Sequence, residues 1–468
     1  SPERQLARDR CGDDVRMSET LDLLVIGAGA CGMAAAITAH DAGGAVAMVE
    51  KRATPGGNSS LSTGSIPGAG SRFQVAAGIS DSPERMIADL EKTAGKHDAD
   101  HLTALIAREC GPLCEWLIDD LGARMELITD YRHIGHSVER LHAPKSRRGQ
   151  DLVDDLLRFV ADRDIPLAVG NGAERLLIDE GGSVVGAVVE GVEIHARKVV
   201  LATNGFAANS ALVAQFCPEI ADVEYFGALG STGEAIEWGQ SLGAALGNMA
   251  AYQGYAAVAY PQGQLLSWTT IEKGGVLVGA DGRRFGNEDD GYSGFAAKVH
   301  GQGEFAWAVY DRRIHDVALA EEEYAEMARM GAMKWANTAE ELAKAAGLPA
   351  TSLADTIAAY NTVAQAGEGD AQNRRKFAMA PLQAPFAIAR VKPGLFHTQG
   401  GLMVDEDARV LREGGGIIDN LFAGGGAAVG ISGYAGAMGY ASGNGLITAL
   451  VLGRRASLRA MQDIKTAA

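Results

Sequence analysis

The sequence predicts an α/β fold assembled from both ends of the chain around an inserted second domain. Three observations lead there. An apolar run, Leu21-Asp-Leu-Leu-Val-Ile26, feeds directly into Gly27-x-Gly29-x-x-Gly32, a small-residue helix and an acidic strand end, Val49-Glu50. Short alternating stretches at 176–178, 184–189 and 192–194 lead into a second apolar run, Lys198-Val-Val-Leu-Ala-Thr-Asn-Gly205. Glycine-rich strands and a closing helix then return near the C-terminus, after a long region of different composition.

The first unit is read residue by residue. The strand must precede the glycines, because the loop delivers its backbone to the N-terminus of the following helix. Gly27 permits the tight turn, Gly29 lets a pyrophosphate approach the main chain, and Gly32 lets helix and strand pack closely. Glu50 is placed to accept hydrogen bonds from a ribose. The unit is Rossmann-like and marks a dinucleotide site. Pro55 to Gly70 is too rich in glycine and hydroxyl residues for a core, and its backbone donors suit a phosphate or a polar ring edge. Residues 83–121 read as helical, with Met86, Leu90, Leu102, Leu105 and Ile106 at helical spacing, and a further helix is expected over 151–161. The three alternating stretches predict a β-meander, and 198–205 a buried strand stopped by a glycine turn. Residues 250–385 are mixed, with many charges between 311 and 345, and the last helix is expected to end near Arg454-Arg455. The resulting map is 1–19, a disordered extension; 20–250, the first part of the nucleotide domain; 251–385, an inserted α+β capping domain; 386–456, the second part; and 457–468, a tail.

Composition narrows the function. A net charge of −17 argues against nucleic acid or an anionic membrane surface as partner. No run is long and apolar enough to span a membrane. The first sixteen residues lack a secretory h-region; Met17 reads as a start residue, with Ser1 to Arg16 an upstream extension. The five cysteines (Cys11, Cys31, Cys110, Cys114, Cys217) show no Cys-x-x-Cys and read as reduced thiols of a cytoplasmic protein. His133, His136 and His142 match no metal template, and Arg283-Arg284 reads as a turn or surface pair.

Eight segments in order extend the reading: Val25 to Gly32, Val49-Glu-Lys, Gly56-Gly-Asn-Ser, Val199 to Phe206, Gly230-Ser-Thr-Gly-Glu-Ala-Ile, Gly282-Arg-Arg-Phe-Gly-Asn-Glu288, His397-Thr-Gln-Gly-Gly, and Asn420-Leu-Phe-Ala-Gly. Together the chain resembles the flavoprotein subunits of succinate dehydrogenase and fumarate reductase and the related flavin ketosteroid dehydrogenases. The resemblance implies FAD and a lid that closes over its ring. It implies contacts from Gly27, Ala28, Gly29, Ala30, Cys31, Gly32, Glu50, Lys51 and Arg52. The loop after them would add Gly57, Asn58, Ser59, Thr63, Gly64 and Ser65. Later segments would supply Ala173, Ala202, Thr203, Asn204, Gly205, Gly425, Gly426, Gly443, Asn444, Leu446 and Ile447. Covalent members attach flavin through a histidine in the loop after the first unit. Residues 53–72 contain none, so non-covalent FAD is expected.

The substrate side departs from fumarate reductase. Four residues past Glu288, where those enzymes carry a proton-donating arginine, stands Tyr292; their substrate histidine falls on Tyr255, and a carboxylate-holding arginine on Tyr440. His397 is kept. Loss of both arginines removes the bidentate forks that a dicarboxylate needs. Ketosteroid dehydrogenases carry a tyrosine at the first position as base, and a second on a C-terminal loop that works with a backbone N–H. Tyr440-Ala-Ser442-Gly-Asn444 is similar to that loop, with Ser442 an extra hydroxyl and Tyr434 the rival for the second role. Tyr255 reads as packing or as a hydroxyl handle, and His397 as a substrate contact or a loop that orients the flavin.

The expectation is an FAD-dependent desaturase of a cyclic ketone of cyclohexanone type, passing electrons to a separate acceptor (quinone, dye, oxygen or redox protein). The alternatives are a 3-ketosteroid dehydrogenase, a fumarate-reductase-like reductase of activated C=C bonds, and a catalytically silent flavin carrier.

Overall fold

The structure is a computed structural model that describes residues 20–467. The expectations for 1–19 and Cys11 lie outside the described residues. Strand β1 (Leu21–Ile26) leads into helix α1 (Ala30–Asp41) and strand β2 (Val46–Glu50). The chain later adds β3 (Leu167–Val169), β4 (Ala173–Ile178), β5 (Val184–Val189) and β6 (Val192–Leu201). The inserted part contributes β7 (Ala250–Ala259), β8 (Val276–Val278), β9 (Ala306–Asp311), β10 (Met333–Ala336) and β11 (Phe386–Thr398). The chain returns through β12 (Arg409–Leu411) and β13 (Ile417–Ala423) and closes with helix α2 (Asn444–Ala467).

The first sheet runs β12-β13-β6-β1-β2-β3. Its central pairs are parallel, and β12 is antiparallel at the edge. Parallel strands are buried on both faces, which is why Leu23 to Val25 and Val199 to Leu201 are continuous apolar runs with no exposed side chain. β13 joins β6 through Leu421↔Val199, so the C-terminal segment completes the sheet begun at the N-terminus. Helix α2 packs along α1, and Gly453 permits the approach: a Cβ there would lie 2.2 Å from the Cys31 carbonyl oxygen.

Four sequence expectations are corrected. The stretches 192–194 and 198–201 are one strand, antiparallel to β5 at its start and parallel to β1 at its end, so one element serves both meander and main sheet. The helical stretch 83–121 is two helices, Pro83–Ala94 and Asp100–Glu115, broken where Gly95 takes φ +66°, and followed by a wider turn at Trp116–Asp120. The last helix does not stop at Arg455 or give way to a tail at 457. It continues to Ala467 because Ser457, Ala460 and Met461 are buried.

The last correction moves a boundary. Residues 386–398, assigned by sequence to the second nucleotide-domain segment, form β11, the central strand of the lid sheet β8-β9-β11-β7. β11 pairs along β7, β9 and β10, and its inner residues Ala387, Ile388, Ala389 and Val391 join a separate lid core with Val276, Val309 and Tyr310. Its far end carries His397 into the junction between the two cores.

Candidate active site

A cavity of about 1490 Å³ lies at that junction. Ordinary small-molecule pockets hold roughly 300–1,000 Å³; this one has room for a dinucleotide and a substrate. At one end, Gly27 takes φ +108°, and a Cβ there would lie 2.2 Å from the Ala202 carbonyl oxygen. Gly32 packs so closely that a Cβ would lie 1.9 Å from the Gly27 oxygen. Gly29 is less crowded: a Cβ there would meet the Gly56 carbonyl oxygen at 3.7 Å and Ser59 Oγ at 3.8 Å. Gly29 gives helix α1 no side-chain cap; the Ala30 N–H donates to Ser59 Oγ at 3.2 Å, and the next N–H groups and the positive dipole end are left for an anion. The Glu50 carboxylate accepts from the Ala28 N–H at 2.9 Å and the Arg52 N–H at 2.8 Å, which pins it at the rim with lone pairs to spare. These features fit the pyrophosphate and ribose of FAD.

Most of the expected cofactor residues line this cavity: Gly27, Gly29, Ala30, Cys31, Glu50, Lys51, Arg52, Gly57, Asn58, Ser59, Thr63, Ser65, Ala173, Ala202, Thr203, Asn204, Gly425, Gly426, Gly443 and Leu446. Six expected residues do not. Ala28 and Gly32 shape the turn behind the wall, Gly205 packs on Thr398, and Gly64 packs on Pro144. Asn444 is buried, donating to Ser432, and Ile447 belongs to the core.

At the other end four aromatic rings form a run. Phe396 stacks on Tyr255 (5.4 Å, 9°), Tyr255 lies 5.1 Å from Tyr292, and Tyr292 lies 5.4 Å from Tyr440. All four line the cavity with Ser442 and His397. The hydroxyls are not equivalent. That of Tyr255 donates to the Leu266 carbonyl at 3.0 Å and accepts from the Trp268 N–H at 3.1 Å. Tyr255 therefore contributes a ring face, and its hydroxyl is spent on the lid backbone. Tyr434, the rival on the C-terminal loop, is 60% exposed and absent from the wall.

Tyr292 and Tyr440 act on one another. Burial, the charge of its neighbour and its bond to Tyr440 push the Tyr292 phenol well above its usual range. Burial also raises Tyr440, but the neighbouring polar groups of Tyr292, Ser442, Gln253 and the Gly443 N–H favour its charged form and oppose the rise. A base of ordinary or lowered pKa at Tyr292 is thus not what the fold provides. The pair titrates as a unit, and its charge is best placed on Tyr440. Burial holds His397 neutral. Its Nδ1 lies 3.2 Å from the Thr398 carbonyl, which can only accept, so Nδ1 carries the proton and Nε2 is left as an acceptor.

Three residues of this end escaped the sequence reading. Gln253 lies two residues before Tyr255 on β7, and the two-residue period of a strand was signal enough. Trp268 and Phe396 had no local signal. Arg284 is corrected: it is not a surface residue. Its side chain is 8% exposed, paired with Glu288 and, at 2.5 Å, with Asp370, while Arg374 stands 3.5 Å from Glu288. This buried cluster anchors the segment that delivers Tyr292.

Residues 22–445 match the model of a family described as FAD binding domain. Over 449 residues the chain is 31% identical to a probable fumarate reductase of Shewanella frigidimarina (strain NCIMB 400), covering 93% of this chain and 74% of that protein. It is 26% identical to a 4-oxocyclohex-2-ene-1-carboxylate 5-dehydrogenase of Sinomonas cyclohexanicum, covering 94% of each. Among solved structures, the open conformation of a flavocytochrome c3 fumarate reductase superposes with a TM-score of 0.79 at 29% identity, covering 99% of this chain and 81% of that one. A 3-ketosteroid-Δ4-(5α)-dehydrogenase from Rhodococcus jostii RHA1, in complex with 4-androstene-3,17-dione, superposes with a TM-score of 0.77 at 26% identity, covering 96% and 99%.

Proposed function

Because the chain belongs to the FAD binding domain family, and is an FAD-dependent oxidoreductase acting on CH–CH bonds, we propose that it desaturates a cyclic ketone of cyclohexanone type. One observation carries this reading: Tyr292 and Tyr440 stand ring against ring in the cavity wall where carboxylate-binding arginines would be needed for a dicarboxylate. Two neutral phenols and a stack of rings suit an uncharged cyclic substrate with one polar handle. Of the relatives, the cyclohexene-carboxylate dehydrogenase and the ketosteroid dehydrogenase share this chemistry by name.

Bound FAD supplies the hydride acceptor, held by the residues around Gly29 and Glu50. The protein handles the proton. Tyr440 must first give up its proton to solvent, against the burial that raises it, and Tyr292, Ser442, Gln253 and the Gly443 N–H favour the phenolate so formed. Tyr292 takes the α-proton of the ketone as its own proton passes to Tyr440. The carbon lone pair moves toward the carbonyl oxygen, which the Ser442 hydroxyl is free to hold once Tyr440 has taken the proton. Loss of hydride from the β-carbon completes an α,β-unsaturated ketone. The ring stack of Phe396, Tyr255 and Tyr292 gives this end of the cavity an apolar wall against which a ring substrate can pack. Tyr255 and His397 serve as walls and as an acceptor, not as proton donors. The electrons leave to an external acceptor.

The greater identity to the fumarate reductase favours a second reading, reduction of an activated C=C bond by the same residues in reverse. Anaerobic mixing of the oxidised protein with cyclohexanone, a 3-ketosteroid or succinate separates the readings. Bleaching of the flavin by cyclohexanone, and not by succinate, is expected. Bleaching by succinate alone would reject the desaturase.

A further inference from the structure

The loop that carries Tyr440 contains a peptide that can face two ways. Ala441 to Asn444 is a turn closed by the Asn444 N–H donating to the Ala441 carbonyl at 3.2 Å. Its third residue, Gly443, takes φ +82°. That value belongs to a type II turn and not to a type I turn. The two types differ by a half-rotation of the central peptide, here Ser442–Gly443. In a planar trans peptide the C=O and N–H point opposite ways. The orientation of this one peptide therefore decides whether Tyr440 meets a donor or an acceptor.

His136 holds the carbonyl side. Its imidazole is 7% exposed, and its Nε2 lies 2.8 Å from the Ser442 carbonyl oxygen. Its Nδ1 lies 3.2 Å from Nη1 of Arg140. A guanidinium only donates, so Nδ1 is the acceptor and Nε2 carries the proton that Ser442 receives. Arg140 is itself fully buried and fixed by Asp81, at 2.9 Å from both Nε and Nη2, and by Asp89, at 2.8 Å from Nη1. The Ser442 N–H donates to the Ile134 carbonyl at 3.0 Å. Gly135 lies so close to the loop that a Cβ there would come within 2.4 Å of the Ala441 Cβ. Both backbone groups of Ser442 are thus tied to residues 134–136, and the Gly443 N–H points the opposite way across its peptide, to the side on which it favours the charged form of Tyr440.

We propose that His136 is a positioning residue that locks the Ser442–Gly443 peptide with its carbonyl turned away from the cavity and its N–H turned toward Tyr440. The catalytic consequence rests on the proposed function; the lock itself does not. The neutral imidazole is what this role needs, since only that form accepts from Arg140 and donates to Ser442 at once.

Two variants isolate the donated bond. His136→Gln keeps an acceptor for Arg140 and a donor for Ser442. His136→Glu keeps the acceptor, as an ion pair, and presents oxygen to the Ser442 carbonyl, which favours the inverted peptide. Hydrogen-exchange mass spectrometry of a fragment spanning 441–445 reads the lock on the FAD-loaded protein without substrate. The Gln variant is expected to exchange like wild type, and the Glu variant to show one amide whose exchange rate differs at least about tenfold. With cyclohexanone as reductant, kcat of the Glu variant is expected to fall roughly 10–10²-fold, less than the ~10²–10³ lost when an oxyanion donor is removed outright. KM and bound FAD should stay near wild type, and the Gln variant should keep kcat within about threefold. Should the Glu variant fail to hold FAD, His136→Leu takes its place with the same expectation. Equal exchange in the Gln and Glu variants overturns the lock. Wild type that cyclohexanone does not bleach, with the exchange difference present, overturns the proposed function and leaves the lock standing.

Discussion

Tyr292→Phe puts the proposed chemistry at greatest risk. The substitution removes one oxygen and keeps the ring, so the contacts to Tyr255 at 5.1 Å and Tyr440 at 5.4 Å survive. The Tyr292 hydroxyl is bonded to Tyr440 and Ser442, so its loss costs the fold about 0.5–1.5 kcal/mol, the usual net worth of a hydrogen bond. The effect on rate is of another size. Removing a general base costs ~10²–10⁴-fold, or about 2.7–5.4 kcal/mol at 1.36 kcal/mol per tenfold. Stopped-flow flavin bleaching under argon gives the rate, and thermal unfolding of the same sample gives the fold. Exchange of the ketone's α-hydrogen with solvent deuterium gives the proton step alone. Exchange and bleaching should both be lost while FAD stays bound. Tyr440→Phe should cost a similar factor, and the double variant little more than either single, because residues of one relay are not additive. Near-normal turnover in Tyr292→Phe would return that residue to a packing role and refute the mechanism.

Three further outcomes are expected. Denaturation by acid or heat should release FAD from the polypeptide, and Glu50→Ala should weaken its retention by roughly 1.5–3 kcal/mol, read as the Kd for FAD by fluorescence; unchanged affinity would remove Glu50 from the site. Succinate and fumarate should neither perturb the flavin spectrum nor turn over, and tight binding of either, seen in a spectral titration, would contradict the loss of the arginine forks. Burial holds His133, His136 and His142 down at about 4 in the folded chain against an ordinary 6.5, with arginine charges adding to the effect at the first two. The unfolded chain then binds more protons between those values, so stability is full above about pH 6.5 and falls toward pH 4, each group contributing up to about 1.4 kcal/mol per pH unit. Equal urea midpoints at pH 7 and pH 5 would show that these rings are not neutral in the fold.

The nucleotide end was legible because its demands are local. A strand, a turn at Gly27, an open backbone at Gly29 and an acid at Glu50 are set within one βαβ unit, and the chain spells them consecutively. The family likeness was legible for the same reason, segment by segment, and so was the place of Tyr292 on the cavity wall, at a fixed distance from Glu288. The C-terminal closing helix was legible in kind but not in length. Its last turns form because Ser457, Ala460 and Met461 find cover in the packed core, and no residue beside them announces it.

What the tertiary structure alone decided was the use of each polar group. The sequence offered Tyr255 as wall or handle; the lid backbone takes its hydroxyl, and the choice is made by Leu266 and Trp268. Arg284 looked like a surface residue until Glu288 and Asp370 closed on it in the lid interior. β11 left one domain for the other because its inner residues fit the lid core. Tyr292 and Tyr440 stand far apart in the chain, and so do His136 and Ser442. Their pKa values, tautomers and hydrogen bonds arise only where burial removes water and distant segments become neighbours. Spacing along a chain fixes which residue types are present; desolvation and contact across it fix what each can do.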